Sequence, residues 1–200
     1  MVHYLIHNQP AKAQACYQEF KHKFPIKITR DLATAKAWIK TQARANETKG
    51  MIASSGAIRL KPEGIFVKNR LTAADWFLNP QDDIRSCHFL EDVATEFDIQ
   101  GLELDWCLIG WDADYRYQKT GGKQNGQFEH WKFSGTSWKR RQQEEQQRYL
   151  ENAYRVLLTR ARQGMVIFVP RGDAGDATRL PEYLDGTFDY LLGCGVEVLV

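Results

Sequence analysis

Residues 104–111 read LDWCLIGW, a run so dense in Leu, Ile and Trp that a strand built from it has no face to offer water. Near-continuous apolarity of this kind suits a strand buried on both faces, as in a parallel sheet covered by helices on each side. The segments that follow agree. A long helix is expected over about 140–162, closed by Gly164, then a strand MVIFVP, a turn over 171–175, a helix over 181–192 and a final strand over 196–200. Strand, helix, strand, helix, strand is the alternation of an α/β layer with a parallel sheet. Upstream, residues 29–46 present a broad apolar helical face through Leu32, Ala35, Ala37, Trp38, Ile39 and Ala43, with Asp31 in the first turn. The strand-like GMIASSGAIRL comes next. The first 25 residues fit this plan poorly and read as helical material belonging to something upstream.

Residues 115–139, YRYQKTGGKQNGQFEHWKFSGTSWK, change character completely. Rich in Gly, aromatics and Lys, with turn signals at Gly121-Gly122 and Asn125-Gly126, they predict an inserted hairpin or loop. The 200 residues carry 27 Lys and Arg against 25 Asp and Glu, a formal net charge of +2. That balance excludes a polybasic tail that holds nucleic acid by charge alone. With 43% hydrophobic and 26% charged residues the chain is an ordinary globular one rather than a disordered one. No apolar run approaches the roughly 18–20 residues that span a bilayer, and MVHYLIHNQPAKA lacks the basic and apolar regions of a secretion signal, so no membrane partner and a cytoplasmic location are expected. Cys16, Cys87, Cys107 and Cys194 are scattered, without zinc-ligand spacing, and predict neither metal site nor disulfide.

Two features carry chemistry. On a helix reaching residue 162, at about 100° per residue, Arg160 falls on the stripe of Tyr149, Ala153 and Val156 that faces the sheet, while Arg162 points nearly opposite. An arginine on a packed face needs a carboxylate, a phosphate or a row of carbonyls; alternatively both arginines simply complement a helix C-terminus. The second feature is ATEFDIQGLELD, residues 94–105, between two predicted strands. Gly101 would let a ligand approach the backbone and Glu103 could accept from a sugar hydroxyl, or the segment is a plain tight turn.

Together the two features resemble a family. From Thr95 to Asp105 the chain is similar to motif V of superfamily-1 helicases, T-x-H-K-x-Q-G-L-E-x-D, and LLTRAR followed by a strand resembles their motif VI. EFDIQGLELDW with AYRVLLTRAR most resembles the helicase-like P-loop proteins of domain of unknown function family 2075, related to the helicase half of the Schlafen proteins. The resemblance spans about residues 29–200 and implies a RecA-like α/β fold with an inserted hairpin, preceded by a helical remnant over 1–28. It implies that Arg160 is the arginine finger, that Gln100, Gly101, Glu103 and Arg162 line an ATP site with Mg²⁺, and that Thr95 lies near a nucleic-acid backbone. DNA or RNA is the expected partner.

Departures qualify the likeness. Phe97 stands at the motif V histidine and Asp98 at the basic position after it, and Arg155 at a motif VI tyrosine. No G-x-x-x-x-G-K-[ST] occurs, since Gly121-Gly122-Lys123 is followed by Gln124. The expectation is the C-terminal half of a larger ATPase, inactive alone, whose phosphates and Mg²⁺ are held by an N-terminal lobe supplied in cis or by a split gene. GMIASSGAIRL takes the motif IV place, with Arg59 as a second phosphate arginine. Trp131, Lys132 and Trp138 in the insertion pair stacking surfaces with charge and are candidate nucleic-acid contacts, unless the aromatics only form a satellite core. A competing reading makes Glu103, Asp105, Asp112 and Asp114 the Mg²⁺ cluster of a nuclease-like domain. A third is a degenerate module that binds nucleic acid or a partner protein.

Overall fold

A computed structural model of the chain describes residues 1–119 and 126–199. In chain order it builds α1 (Val2–Ile6), α2 (Pro10–Phe20), β1 (Ile26–Thr29), α3 (Leu32–Gln42), β2 (Lys49–Ala53), α4 (Ala73–Leu78), β3 (Val93–Ala94) and β4 (Leu104–Gly110). Then come β5 (Tyr115–Gln118), β6 (Gln127–Ser134), β7 (Ser137–Arg140), α5 (Glu144–Leu157), β8 (Ala161–Phe168), α6 (Glu182–Gly193) and β9 (Glu197–Val198). Six strands form one parallel sheet in the order β3-β2-β4-β8-β1-β9. This is the α/β, RecA-like architecture expected, with helices on both faces.

The apolar run forms the centre of that sheet. β4 pairs with β2 on one side and β8 on the other, and Cys107, Leu108 and Ile109 are fully buried. Alternation then sorts the core. Cys107, Ile109, Met165 and Ile167 pack with residues of α1, α2, α5 and α6, while Leu108, Val166 and Phe168 pack with Ala35 and Ile39 of α3.

Several boundaries differ from expectation. The helix expected over 140–162 is α5 alone, ending at Leu157. Leu104 N–H donates to the Arg160 carbonyl (3.0 Å) and Leu104 pairs with Ala161, so β8 claims the residues whose periodicity looked helical. The strand expected at MVIFVP therefore begins at Ala161. The helix expected over 29–46 is Leu32–Gln42, because Thr29 closes β1 and Asp31 caps the helix by accepting from Thr34 N–H. GMIASSGAIRL is a strand only through Ala53 and turns into a 3₁₀ helix over Ile58–Glu63. The last strand covers Glu197–Val198.

The insertion is antiparallel, as a hairpin would be, and extends to three strands in the order β5-β6-β7. Gly121, Gly122, Lys123 and Asn125 of its turn signals lie outside the described residues, as does Val200. The expected boundary after residue 28 falls inside β1, and α1 and α2 bury Leu5, Ile6, Ala13 and Tyr17 in the same core as the sheet. Tyr190 Oη donates to the Leu5 carbonyl at 2.7 Å, tying α1 to α6. Among the described residues no helix is long and apolar enough to cross a membrane.

Candidate functional site

Because every strand of the main sheet runs the same way, one edge collects all the strand starts and the other all the strand ends. β4 is seven residues long, so at about 3.3 Å per residue the edges stand roughly 20 Å apart.

At the amino edge, the segment before β4 meets the segment before β8. Gly101 takes φ +78°, and a Cβ there would meet nothing within 4 Å, so the turn is open on that side. Arg160 is half-buried just past the end of α5. Its Nε donates to the Val156 carbonyl (3.2 Å) and its Nη1 to that of Leu102 (3.4 Å). The guanidinium thus has carbonyl partners, and it reaches them from the α5–β8 connection rather than from a helix face. Arg162 Nε lies 4.0 Å from Glu103 Oε2, with both side chains about 60% exposed, an arrangement of small energetic weight. Gln100 is exposed on the same turn. The structure therefore brings Gln100, Gly101, Glu103, Arg160 and Arg162 to one edge. Two guanidiniums thus stand near a glycine turn that is open to solvent.

Thr95 is elsewhere. It follows β3 at the carboxyl edge, is 7% exposed, and both its N–H (2.8 Å) and its hydroxyl (2.7 Å) donate to Asp98 Oδ2. Asp98 thus locks the turn. Arg59 also belongs to this edge: its Nη2 pairs with Asp176 at 2.9 Å and its guanidinium stands 5.0 Å from the Phe133 ring centre. That places it a sheet length from Arg160, so the two arginines do not converge on one phosphate.

The carboxylates of the nuclease reading divide between the edges. Glu103 and Asp105 stand at the amino edge, where Asp105 Oδ2 accepts from Thr48 N–H (2.8 Å) and Thr48 Oγ1 (2.9 Å). Asp112 and Asp114 are buried beyond the other end of β4. Among the described residues no three His, Cys, Asp or Glu groups come together to hold a metal ion. Asp114 instead accepts from Ser54 Oγ (2.8 Å) and Tyr154 Oη (2.6 Å), and Asp112 from the N–H groups of Arg59 (2.9 Å) and Ala113 (2.7 Å). Burial pushes both carboxyls well above the usual range, and for Asp112 the charge of Asp114 adds to the push.

This network lies between β2, whose connection leaves toward β3, and β4, whose connection leaves toward β8. Such a reversal of winding direction is where open parallel sheets present a crevice. A cavity of 250 Å³ opens there, lined by Ser55, Glu96, Lys68, Lys132, Arg141 and Tyr149 among others. Ser55 donates to Glu96 through both N–H and Oγ at 2.7 Å. Phe97 and Tyr149, both substantially exposed, stand ring to ring at 6.0 Å beside it. No motif marked Lys68 or Tyr149; the aromatic at position 97 was a visible departure.

The insertion splits the remaining candidates. Tyr115, Tyr117 and Phe128 face inward and join Trp111, Tyr154 and Tyr190 in the main core. Lys132, on that same face of the strand, reaches the crevice. Trp131 and Trp138 lie on the other face and flank the guanidinium of Arg116.

A family model described as Schlafen group 3, DNA/RNA helicase domain, matches residues 1–171, the first two helices included. No curated protein and no solved structure matches the chain.

Proposed function

The chain belongs to the Schlafen group 3 DNA/RNA helicase domain family, and from that premise we propose that it is the C-terminal RecA-like lobe of a nucleic-acid-dependent ATPase. The observation that carries the proposal is the amino edge, where Gly101, Glu103, Arg160 and Arg162 come together from two segments far apart in sequence. ATP supplies the phosphoryl group whose hydrolysis drives such enzymes, and a separate lobe with a Walker A loop holds its phosphates and Mg²⁺.

This chain's own part is to close that site. Arg160 exchanges its two carbonyl acceptors for a phosphate oxygen, a stronger, charge-assisted partner, and so brings positive charge to the place where negative charge develops. Arg162, freed from its loose contact with Glu103, adds a second cation. Glu103 is then available to a ribose hydroxyl, the bare backbone of Gly101 lets the triphosphate approach, and Gln100 stands beside it.

Nucleic acid lies along the carboxyl edge. Lys68, Lys132 and Arg141 offer charge to phosphates, and Phe97 with Tyr149 offers a stacking surface. Thr95 contributes through the turn it anchors, its hydroxyl being engaged by Asp98. The two edges give the lobe one side for the fuel and one for the strand.

Complementation tests this. The isolated chain is expected to hydrolyse no ATP, and adding a Walker A lobe of the same family, in trans or joined at the N-terminus, to yield hydrolysis that rises with single-stranded DNA or RNA. Hydrolysis by the chain alone, or none in the joined protein, overturns the reading.

A further inference from the structure

Arg116, on β5, keeps only 3% of its surface exposed. Its guanidinium carbon stands 4.1 Å from the ring centres of Trp131 and Tyr183 and 5.6 Å from that of Trp138. Burial lowers its pKa to about 10, so it remains a cation at neutral pH. Among the described residues, Nε and Nη1 find no acceptor. Contacts with aromatic faces return only part of what a cation loses on leaving water. The arrangement is one that an anion would complete.

The space for an anion is there. A cavity of 740 Å³ opens beside this side chain, walled by Trp131, Trp138 and Tyr183 and edged by Lys119, Thr136 and Ser137, within the size range of small-molecule sites. Two carboxylates also line it, Glu129 and Glu182. Glu129 is committed: Oε1 pairs with Arg140 at 3.2 Å and Oε2 accepts from Trp131 Nε1 at 3.1 Å. Glu182 is exposed in the first turn of α6, and its carbonyl accepts from Gln118.

A buried guanidinium selects a phosphate or carboxylate, indole walls select a flat ring, and hydroxyls at the rim suit a sugar. We propose that this cavity binds a single nucleoside phosphate, its phosphate toward Arg116 and Lys119 and its base against the indole walls. The ligand is either a free nucleotide or the phosphorylated end of a strand. In the second case the site deepens, and rests on, the nucleic-acid reading above, and it is distinct from both the amino edge and the crevice.

Titration calorimetry with adenosine 5′-monophosphate and with adenosine, and anisotropy with a short single strand carrying a 5′-phosphate or a 5′-hydroxyl, test it. The phosphorylated member of at least one pair should bind about tenfold or more tightly than its partner, the weight of a charge-assisted hydrogen bond. Lys119→Glu and Arg116→Lys should remove that preference and leave 5′-hydroxyl strand binding unchanged. Preference for the monophosphate alone identifies a free nucleotide; preference for the phosphorylated strand identifies a terminus. Equal binding within both pairs, or a preference that survives Lys119→Glu, overturns the proposal. Lys119 is exposed, so its variant decides if Arg116→Lys does not fold. Strand binding without phosphate preference would leave the crevice reading intact, whereas monophosphate binding without any strand binding would sink that reading and keep this site.

Discussion

Asp112 and Asp114 show how a pattern visible in the sequence can change meaning once it is folded. Spaced two apart after an apolar strand, they looked like ligands for a hard cation. Both are buried at the end of β4, where Ser54, Tyr154 and two backbone N–H groups satisfy them, and burial holds their pKa values up. A carboxyl whose folded pKa lies above its unfolded value near ~4 binds its proton more tightly when folded, so the stability it contributes is present at low pH and is lost as pH rises toward neutrality. The melting temperature should therefore fall as pH is raised from about 5 to about 8, and Asp112→Asn, which cannot ionise, should lessen that fall. An identical decline in both proteins would show that Asp112 is ionised throughout. Arg160 changed meaning in the other direction. The helix that was to aim it inward ends at Leu157, yet the β4–β8 pairing sets it beside Leu102 and so beside Gly101 and Glu103.

Among the elements, β8 is the one on which the candidate site depends, because its first residue fixes where Arg160 and Arg162 stand. Gly164 lets it pass: a Cβ there would lie 2.7 Å from Trp106 Cζ3 and 2.8 Å from the Pro25 carbonyl oxygen, which already accepts from Met165 N–H. Gly164→Ala should cost about 1–3 kcal/mol, seen as a drop of several degrees in the melting temperature of a chain this size. An unchanged melting temperature would mean that the strand shifts freely.

Gly164 also shows what the sequence could not reveal. Read locally it closes a helix; in the sheet it is a close approach, and only the partner strand discloses that. The buried run of β4, the α6 helix and the parallel alternation were legible because apolar periodicity registers two-sided burial directly. β1 was not, since four residues, Ile26–Thr29, carry too little periodicity and gain their place by pairing with β8 and β9. In the site, Gln100–Glu103 and Arg160–Arg162 were legible through their likeness to motifs. The approach of Lys68 to Tyr149 was not, because two separate segments supply them.

On the scale of the molecule, the parallel sheet separates two surfaces. Its amino edge carries arginines and an open glycine, its carboxyl edge cations and exposed aromatics, and the antiparallel insertion adds a third surface built around Arg116. A formal net charge of +2 is enough for this arrangement, since the basic groups are placed locally rather than spread over the surface. In the function proposed, Arg160 completes an ATP site whose remainder lies on another lobe. It is tested most directly by kcat for strand-stimulated ATP hydrolysis at saturating ATP, in protein joined to a Walker A lobe, with Arg160 intact and as Arg160→Ala. The expected result is a loss on the order of 10³-fold or more with strand affinity retained; a kcat unchanged by the substitution would rule out that role for Arg160.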